Sequence, residues 1–407
     1  MIDILEALRD LRGITATPGR GCTRLAFTEQ EDQAHDYIWQ RLQSIRGLSR
    51  IDDAAGNMFI VPQDAVSQGT AVVLLGSHLD TVIEGGWLDG ALGVVVATHV
   101  LASQADVGDA GSHLGLVVFR DEEGVRFNTG LFGSMVFAGR CTEANLDAAD
   151  ADGVRVRDVV PDPAGCWDYE PPVRAAAFLE CHIEQGERLT TSGNRVGVVT
   201  GIVGIRRLEL VGTGMANHAG TTDMRRRVDA LVPVADVVAR LPSLVDGLED
   251  AVITCGRLEV TPGAPNVIPG RVSAIVEIRA SEQDAMDDIE RRLEALVESM
   301  RAAGARGRAT DLELRPVVSC APIPTDPQLA SHLADILRAR GLGHERLFSM
   351  AGHDAQHAAR RCPAGMFFIP SVDGISHNPA ENSSESDILL ASDVMLAWAE
   401  RCIAEGT

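Results

Sequence analysis

Four short apolar runs predict buried strands of a parallel sheet. They span residues 71–76, 114–119, 175–183 and 366–369. Nearly continuous apolar runs are typical of strands that are covered on both faces. Helical patterns lie between them, at residues 91–101 and 131–139. This alternation predicts an α/β domain with a mostly parallel sheet, whose functional sites lie beyond the carboxyl ends of the strands.

The middle of the chain has a different periodicity. Residues 205–211 and 271–280 alternate as strands do, each is followed by a helical pattern at 227–241 or 282–302, and a strand-like run at 311–318 closes the segment. The order approximates a β-α-β-β-α-β unit. We therefore predict an inserted α+β, ferredoxin-like domain over residues 206–320. The catalytic domain would comprise residues 1–205 and 321–407.

Composition and charge narrow the functional class. The chain has 407 residues, 45% of them hydrophobic, and a formal net charge of −22, which disfavours binding to nucleic acid. Its eight cysteines form no C-x-x-C pair, so neither a zinc knuckle nor a redox couple is indicated. There is no basic, apolar leader and no apolar stretch of about 20 residues. We expect a cytoplasmic protein without a membrane segment.

Candidate metal ligands begin at the end of the first predicted strand. His78 stands there, and Asp80 could accept the other N–H of its imidazole. Asp89 follows at the start of a helix of small residues. Each also has an ordinary interpretation, because a histidine at a strand end is commonly structural and an aspartate at a helix start is commonly an N-cap.

Further candidates follow the other strands. Asp121, Glu122 and Glu123 form an acidic turn after the second strand, which could equally be a solvated turn. His182 lies at the end of the third strand and His377 in a loop after the fourth. Imidazoles and carboxylates at the ends of several strands are the ligand mixture of a pair of divalent cations. Their combination favours a metal site over the separate structural interpretations.

Eight short motifs carry a resemblance to a known family. In chain order they are Gly-Ser-His-Leu-Asp-Thr-Val, Leu-Asp-Gly-Ala-Leu-Gly, Asp-Glu-Glu-Gly-Val-Arg-Phe, His-Ile-Glu-Gln-Gly, Asn-His-Ala-Gly-Thr-Thr, Gly-Ala-Pro-Asn-Val-Ile-Pro-Gly, Ala-Gly-His-Asp-Ala and Ser-His-Asn-Pro. With these motifs in this order, the chain resembles the carbamoyl-amidohydrolase branch of the aminoacylase and carboxypeptidase-G superfamily. That branch includes N-carbamoyl-L-amino-acid hydrolases, allantoate amidohydrolases and β-ureidopropionases.

The resemblance implies a metal-dependent hydrolase with two divalent ions per subunit, of zinc, manganese, cobalt or nickel. Asp89 would bridge the ions. The other metal ligands would be His78, Glu123, His182 and His377. Glu122 would be the general base, and Asp80 would orient His78. The bond cleaved would be the C–N bond of a carbamoyl (ureido) group in a small carboxylate substrate, such as an N-carbamoyl-L-amino acid, allantoate or 3-ureidopropionate.

The resemblance also gives roles outside the metal site. His218 would stabilise the tetrahedral intermediate and contact the substrate. Gln185, Asn266 and Arg279 would bind substrate, the last two through its carboxylate. The inserted domain would act as a lid and pair two subunits into a homodimer. Without the resemblance, Arg279 would be interpreted as part of a salt bridge on a strand surface, and His218 as a loop histidine.

Two other functions compete with this one. An aminoacylase-like or dipeptidase-like amidase would usually have an acidic residue where His182 stands. A non-catalytic dimeric binding protein would be expected to have lost Glu122 or a ligand. Two positions differ from the family pattern, Asp223 in place of proline and Met350 in place of glycine, and they leave the individual substrate open.

Overall fold

The computed structural model describes residues 2–105, 113–304 and 311–405. It divides the chain into two compact units, one formed by Met1–Thr200 with Pro324–Thr407 and the other by Gly201–Ile323. The second unit is therefore an insertion in the first. Its limits lie a few residues outside the predicted range of 206–320.

Thirteen strands lie in the described part of the chain. They are β1 Leu48–Asp52, β2 Met58–Pro62, β3 Val72–His78, β4 Leu114–Phe119, β5 Ala175–Ile183, β6 Val196–Ile202, β7 Gly204–Thr213, β8 Ala251–Thr261, β9 Arg271–Ala280, β10 Asp311–Cys320, β11 Ile323–Pro324, β12 His344–Ser349 and β13 Ala364–Ile369. The four predicted apolar runs are β3, β4, β5 and β13, and their limits agree to within a few residues.

The described α-helices are α1 Ile4–Gly13, α2 Glu29–Leu42, α3 Gln63–Gln68, α4 Ala91–Ala105, α5 Phe132–Phe137, α6 Glu143–Asp147, α7 Val156–Val159, α8 Pro163–Trp167, α9 Arg188–Ser192, α10 Leu231–Arg240, α11 Gln283–Gly304, α12 Pro327–Ala339, α13 Asp354–Ala358 and α14 Glu385–Glu405. The helix α4 contains three consecutive buried valines, Val94 to Val96. Consecutive buried positions point in different directions around a helix, so α4 is enclosed on all sides. It has 15 residues. None of the described helices has the length and apolarity needed to cross a bilayer.

A nine-stranded sheet forms the first unit. Its order is β1-β2-β4-β3-β5-β13-β6-β11, with β12 beside β6. The central strands β4, β3, β5 and β13 are parallel, and β2 and β6 flank them in antiparallel pairing. Helices α1, α4, α12 and α14 contribute to the main core of this unit, in which Leu8, Leu333 and Trp398 are fully buried. The predicted mostly parallel sheet is confirmed.

The inserted unit has a separate four-stranded antiparallel sheet. Its order is β10-β7-β9-β8, which together with α10 and α11 completes the predicted β-α-β-β-α-β arrangement. One face of the sheet presents Leu208, Leu210, Val276 and Ile278 to a second core. The opposite face carries the charged residues Arg207, Glu209, Glu277 and Arg279, and we call it the polar face. The predicted α+β insertion is confirmed, and β8 and β10 are the edge strands of its sheet.

Candidate metal centre

The topology of the sheet brings the predicted ligands together. His78 ends β3, the acidic turn of Glu122 and Glu123 follows β4, His182 is the penultimate residue of β5, and His377 follows β13. These four strands are neighbours and run parallel. Their carboxyl ends therefore meet at one edge of the sheet, where functional sites of such sheets form.

Asp89 lies between two groups of possible ligands. The first group is His78, Asp89 and His182, and the second is Asp89, Glu123 and His377, with ligand atoms within 4.8 Å of one another in each. His182 Nε2 is 3.0 Å and His78 Nε2 is 3.6 Å from Asp89 Oδ1. His377 Nε2 is 3.4 Å from both Asp89 Oδ2 and Glu123 Oε2. Each oxygen of Asp89 thus faces one group.

The backbone fixes the orientation of two imidazoles. Nδ1 of His78 lies 3.1 Å from the carbonyl oxygen of Asp80, and Nδ1 of His182 lies 2.9 Å from that of Ile183. A carbonyl oxygen only accepts hydrogen bonds, so each Nδ1 carries a proton. The Gly90 N–H donates to Nε2 of His182 at 3.2 Å, which agrees with a lone pair there. In the neutral form both Nε2 atoms are available as metal ligands.

Asp80 organises the acidic turn. Its Oδ1 accepts the backbone N–H of Glu122 at 3.1 Å, and its Oδ2 accepts that of Glu123 at 3.0 Å. Nδ1 of His78 is also 3.4 Å from Asp80 Oδ1. One buried carboxylate therefore connects the loop after β3 to the loop after β4. Glu122 Oε2 then lies 3.7 Å from Nε2 of His78, beside the first ligand group.

Buried acids and imidazoles perturb each other strongly at this site. Burial raises the pKa of Glu122 well above its ordinary value and that of Glu123 to about 8. The hydrogen bond to Asp89 raises the pKa of His377 to about 9. Burial would raise the pKa of Asp89, but His182 and the other imidazoles hold it well below the usual range. Without added cations, shared protons must balance the clustered carboxylates.

The donor set fits divalent cations. Glu123 Oε1 is buried and accepts no hydrogen bond from the described residues, so one ligand oxygen has its coordination capacity unused. Mixed imidazole and carboxylate donors suit zinc and its neighbours in the first transition row. Two non-glycine residues here, Gln185 and His377, have φ of 60° and 53°. Backbone strain of this kind clusters at functional sites.

The sequence did not indicate the role of Glu381. Its Oε1 accepts the backbone N–H groups of Leu88 and Asp89 at 2.9 and 3.0 Å. Ser376 Oγ lies 3.0 Å from both Glu381 Oε2 and Asp89 Oδ2. This buried carboxylate joins the loop of Asp89 to the loop of His377. Glu381 follows two residues after the Ser-His-Asn-Pro motif, and that proximity was the only available signal.

Gln185 was predicted to contact the substrate. In the structure its Nε2 donates to Asp89 Oδ2 at 2.8 Å, and its backbone N–H donates to Ser371 Oγ at 2.9 Å. The side chain thus lies against the shared carboxylate. Contact with substrate stays a prediction, and the observed contact gives Gln185 a share in orienting Asp89.

The other predicted substrate residues lie in the inserted unit. The exposed loop of His218 runs beside the loop of Asn266: the Ala219 N–H donates to the Asn266 carbonyl at 2.9 Å, and the Ile268 N–H to the Asn217 carbonyl at 2.8 Å. His218 and Asn266 are therefore close neighbours.

Arg279 lies on the polar face of the inserted sheet. Its Nε donates to Glu277 Oε1 at 2.8 Å. The salt bridge on a strand surface, which is the ordinary interpretation of this arginine, is therefore present. The proposed substrate role of Arg279 stays a prediction.

Comparison with known proteins agrees with this geometry. Residues 74–401 match the family model described as peptidase family M20/M25/M40. The chain is 33% identical to an N-carbamoyl-L-amino acid amidohydrolase of Geobacillus stearothermophilus, covering 96% of this chain and 95% of that protein. It is 33% identical to an allantoate amidohydrolase of Bacillus subtilis, over 91% and 90% of the two chains. A hydantoinase/carbamoylase family amidase from Burkholderia multivorans superposes with a TM-score of 0.83 at 31% identity, covering 98% of this chain and 96% of that one.

Proposed function

Because the chain belongs to peptidase family M20/M25/M40, in its hydantoinase/carbamoylase branch, we propose that this amidohydrolase cleaves a carbamoyl C–N bond in a small carboxylate substrate. N-carbamoyl-L-amino acids, allantoate and 3-ureidopropionate are the candidates. The observation that carries the proposal is the pair of ligand groups sharing Asp89, with His182 completing one of them. Two divalent cations, when bound there, would acidify a water molecule and polarise the carbamoyl carbonyl.

Glu122 is the proposed general base. It is a buried carboxylate that lies beside the first ligand group, is next in sequence to Glu123 of the second, and belongs to neither group. The backbone N–H of Glu122 donates to the carboxylate of Asp80. This hydrogen bond fixes the backbone position from which the Glu122 side chain extends. Glu122 would take a proton from the attacking water and deliver it to the nitrogen that leaves the carbamoyl carbon. The carbamoyl group would then be released as ammonia and carbon dioxide.

His218 is suited to donate a hydrogen bond to the developing oxyanion. Its Nδ1 accepts the backbone N–H groups of Gly220 and Thr221 at 3.0 and 3.3 Å. A neutral imidazole that accepts at Nδ1 must carry its proton at Nε2. His218 therefore presents an N–H donor without needing to be protonated, which is the group that a tetrahedral intermediate requires.

Carboxylate binding and dimerisation are further parts of the proposal. Arg279 and Asn266 would hold the substrate carboxylate, since a guanidinium matches its geometry. The family resemblance supports a homodimer through the inserted unit, in which domain closure completes the site. Sedimentation equilibrium should give a dimer, and a fully active monomer would contradict this part.

An aminoacylase-like amidase remains the second candidate. In the peptidase relatives an acid usually stands where His182 does. The imidazole of His182 lies in the first ligand group, which favours the carbamoyl branch. The two candidates differ in product, because only carbamoyl hydrolysis releases ammonia from the group that is removed.

The test is ammonia release from a panel of candidate substrates. Metal-loaded enzyme would be given N-carbamoyl-L-amino acids, allantoate, 3-ureidopropionate and N-acetyl amino acids. We expect turnover of at least one ureido compound, its loss after chelation, and recovery when cation is added back. Turnover confined to the acetylated compounds, detected as free amine, would replace the carbamoyl proposal with the aminoacylase one.

A further inference from the structure

Three charged residues form a row on the polar face of the inserted sheet. Arg207 on β7 and Glu277 on β9 are directly opposite in the antiparallel register, and Arg279 lies two residues beyond Glu277 on the same face. Glu277 Oε1 accepts from Arg279 Nε at 2.8 Å, and Glu277 Oε2 accepts from Arg207 Nε. One carboxylate thus uses both oxygens to bind two guanidinium groups.

The contribution of this row to the stability of the fold is expected to be small. The side chains are 39%, 21% and 29% exposed for Arg207, Glu277 and Arg279. Salt bridges with that exposure contribute little to the free energy of unfolding. The row does, however, fix the geometry of Arg279. A hydrogen bond at Nε sets the plane of the guanidinium, and with it the direction of the two terminal nitrogens.

The charge of the row depends on Arg207. Burial would raise the pKa of Glu277, but hydrogen bonding to Arg207 and the charge of Arg279 lower it below its ordinary value, so Glu277 is ionised at neutral pH. Paired with Glu277 alone, Arg279 would form a neutral pair. With Arg207 added, the row carries a net positive charge, which a substrate carboxylate requires.

We propose that Glu277 and Arg207 are positioning residues for carboxylate recognition: Glu277 orients the Arg279 guanidinium, and Arg207 restores the positive charge that Glu277 would cancel. This inference rests on the proposed role of Arg279 in binding the substrate carboxylate. According to this inference, Glu277 and Arg207 contribute to the specificity for an anionic substrate group through Arg279, without contacting the substrate themselves.

The same sheet provides a matched control. Glu209 on β7 lies between Arg271 and Arg315, with nitrogen–oxygen distances of 3.9 Å to each, and Ser273 Oγ donates to it at 2.6 Å. Glu209 therefore resembles Glu277 in charge and in having two arginine neighbours, but these are Arg271 and Arg315 instead of Arg207 and Arg279. Replacing it should disturb the sheet to a similar extent without altering carboxylate recognition.

The experiment compares a substrate with its carboxamide analogue. KM would be measured for the best N-carbamoyl amino acid and for the corresponding amide in wild type, R279Q, E277Q, E277A, R207Q and E209Q. In wild type we expect a lower KM for the carboxylate. The preference should fall roughly 100-fold in R279Q and about tenfold in E277A and E277Q, since hydrogen bonds to charged groups contribute about 1.5–3 kcal/mol. In R207Q it should fall about threefold, with kcat nearly unchanged.

Each outcome decides the inference. A lost preference in R279Q with an unchanged preference in E277Q and R207Q would overturn it while leaving the proposed function intact. An unchanged preference in R279Q would remove the proposed role of Arg279 and the inference with it. An equal rise of KM for acid and amide, or an equal effect of E209Q, would show a merely structural contribution. E277Q keeps the size of the side chain and serves if E277A does not fold.

Discussion

At the scale of single residues, Asp89 and Glu122 have different proposed roles, the first as a shared metal ligand and the second as the general base. Asp89 has an oxygen directed at each ligand group, and the surrounding imidazoles hold its pKa well below the usual range. It is therefore an anion when cations arrive. Glu122 is buried beside the same residues but belongs to neither ligand group, which is consistent with the proposed role of its carboxylate in proton transfer.

Replacing Glu122 by glutamine should separate binding from chemistry. We expect both cations to be retained and kcat to fall by about 10²–10⁴, the usual contribution of a general base. Metal content by elemental analysis and turnover by ammonia release would check this. Normal turnover in Glu122→Gln would exclude the base role, and loss of a cation would make Glu122 a ligand.

Glu381→Ala should weaken metal binding without removing a ligand. The change frees the amides of Leu88 and Asp89 and removes one contact of Ser376, so Asp89 loses its fixed position. Residues that orient ligands typically affect affinity by about 10–100-fold. Dialysis against a competing chelator followed by elemental analysis measures it. Glu385→Ala, an exposed partner of Arg9, is the control, and equal affinities in both variants would contradict the expectation.

At the scale of elements, strand ends explain how much of the site could be predicted. The limits of β4, β5 and β9 follow directly from apolar or alternating patterns. Because the carboxyl ends of neighbouring parallel strands converge, the residues that follow these strands can be grouped from the amino-acid sequence alone. The edge strand β8 was not predicted from the sequence, because its core-facing residues Ala251, Ile253 and Cys255 are followed by a register shift before Arg257 that interrupts the alternation.

Contacts made by loops could not be predicted in the same way. Glu381 binds backbone amides almost 300 residues earlier, and no side-chain pattern encodes an amide. The contact of Gln185 with Asp89 likewise depends on a left-handed backbone conformation at Gln185. Such details depend on the closure of several loops and carry no periodicity.

The short helix α13 should make stability depend on pH. Burial lowers the pKa of His357 to about 4, from an ordinary value of about 6.5. Between these values the unfolded chain binds a proton that the folded chain does not, so the free energy of unfolding rises with pH across this window.

His357→Gln should reduce that slope by up to about 1.4 kcal/mol per pH unit. Urea unfolding of cation-free protein at several pH values between about 4.5 and 7 would measure the difference. Parallel curves for wild type and variant would show that His357 does not titrate in this range.

At the scale of the whole molecule, cation binding should stabilise the first unit. All residues of both ligand groups lie within it. A cation that binds only the folded state adds about 2.7 kcal/mol to the free energy of unfolding at 100 times its Kd. Calorimetry with excess zinc or manganese and with chelator should therefore give different Tm values. Identical values would argue against a metal site formed by these residues.

The way in which the insertion joins the first unit has a consequence for how such enzymes diversify. The Thr325 N–H donates to the Thr200 carbonyl at 3.2 Å, so the chain leaves the large sheet and returns to it at nearly the same point. The segment between can be treated as a cassette whose two ends meet at one place in the large sheet. Recombination could exchange this cassette between relatives without rebuilding any strand that carries a candidate metal ligand.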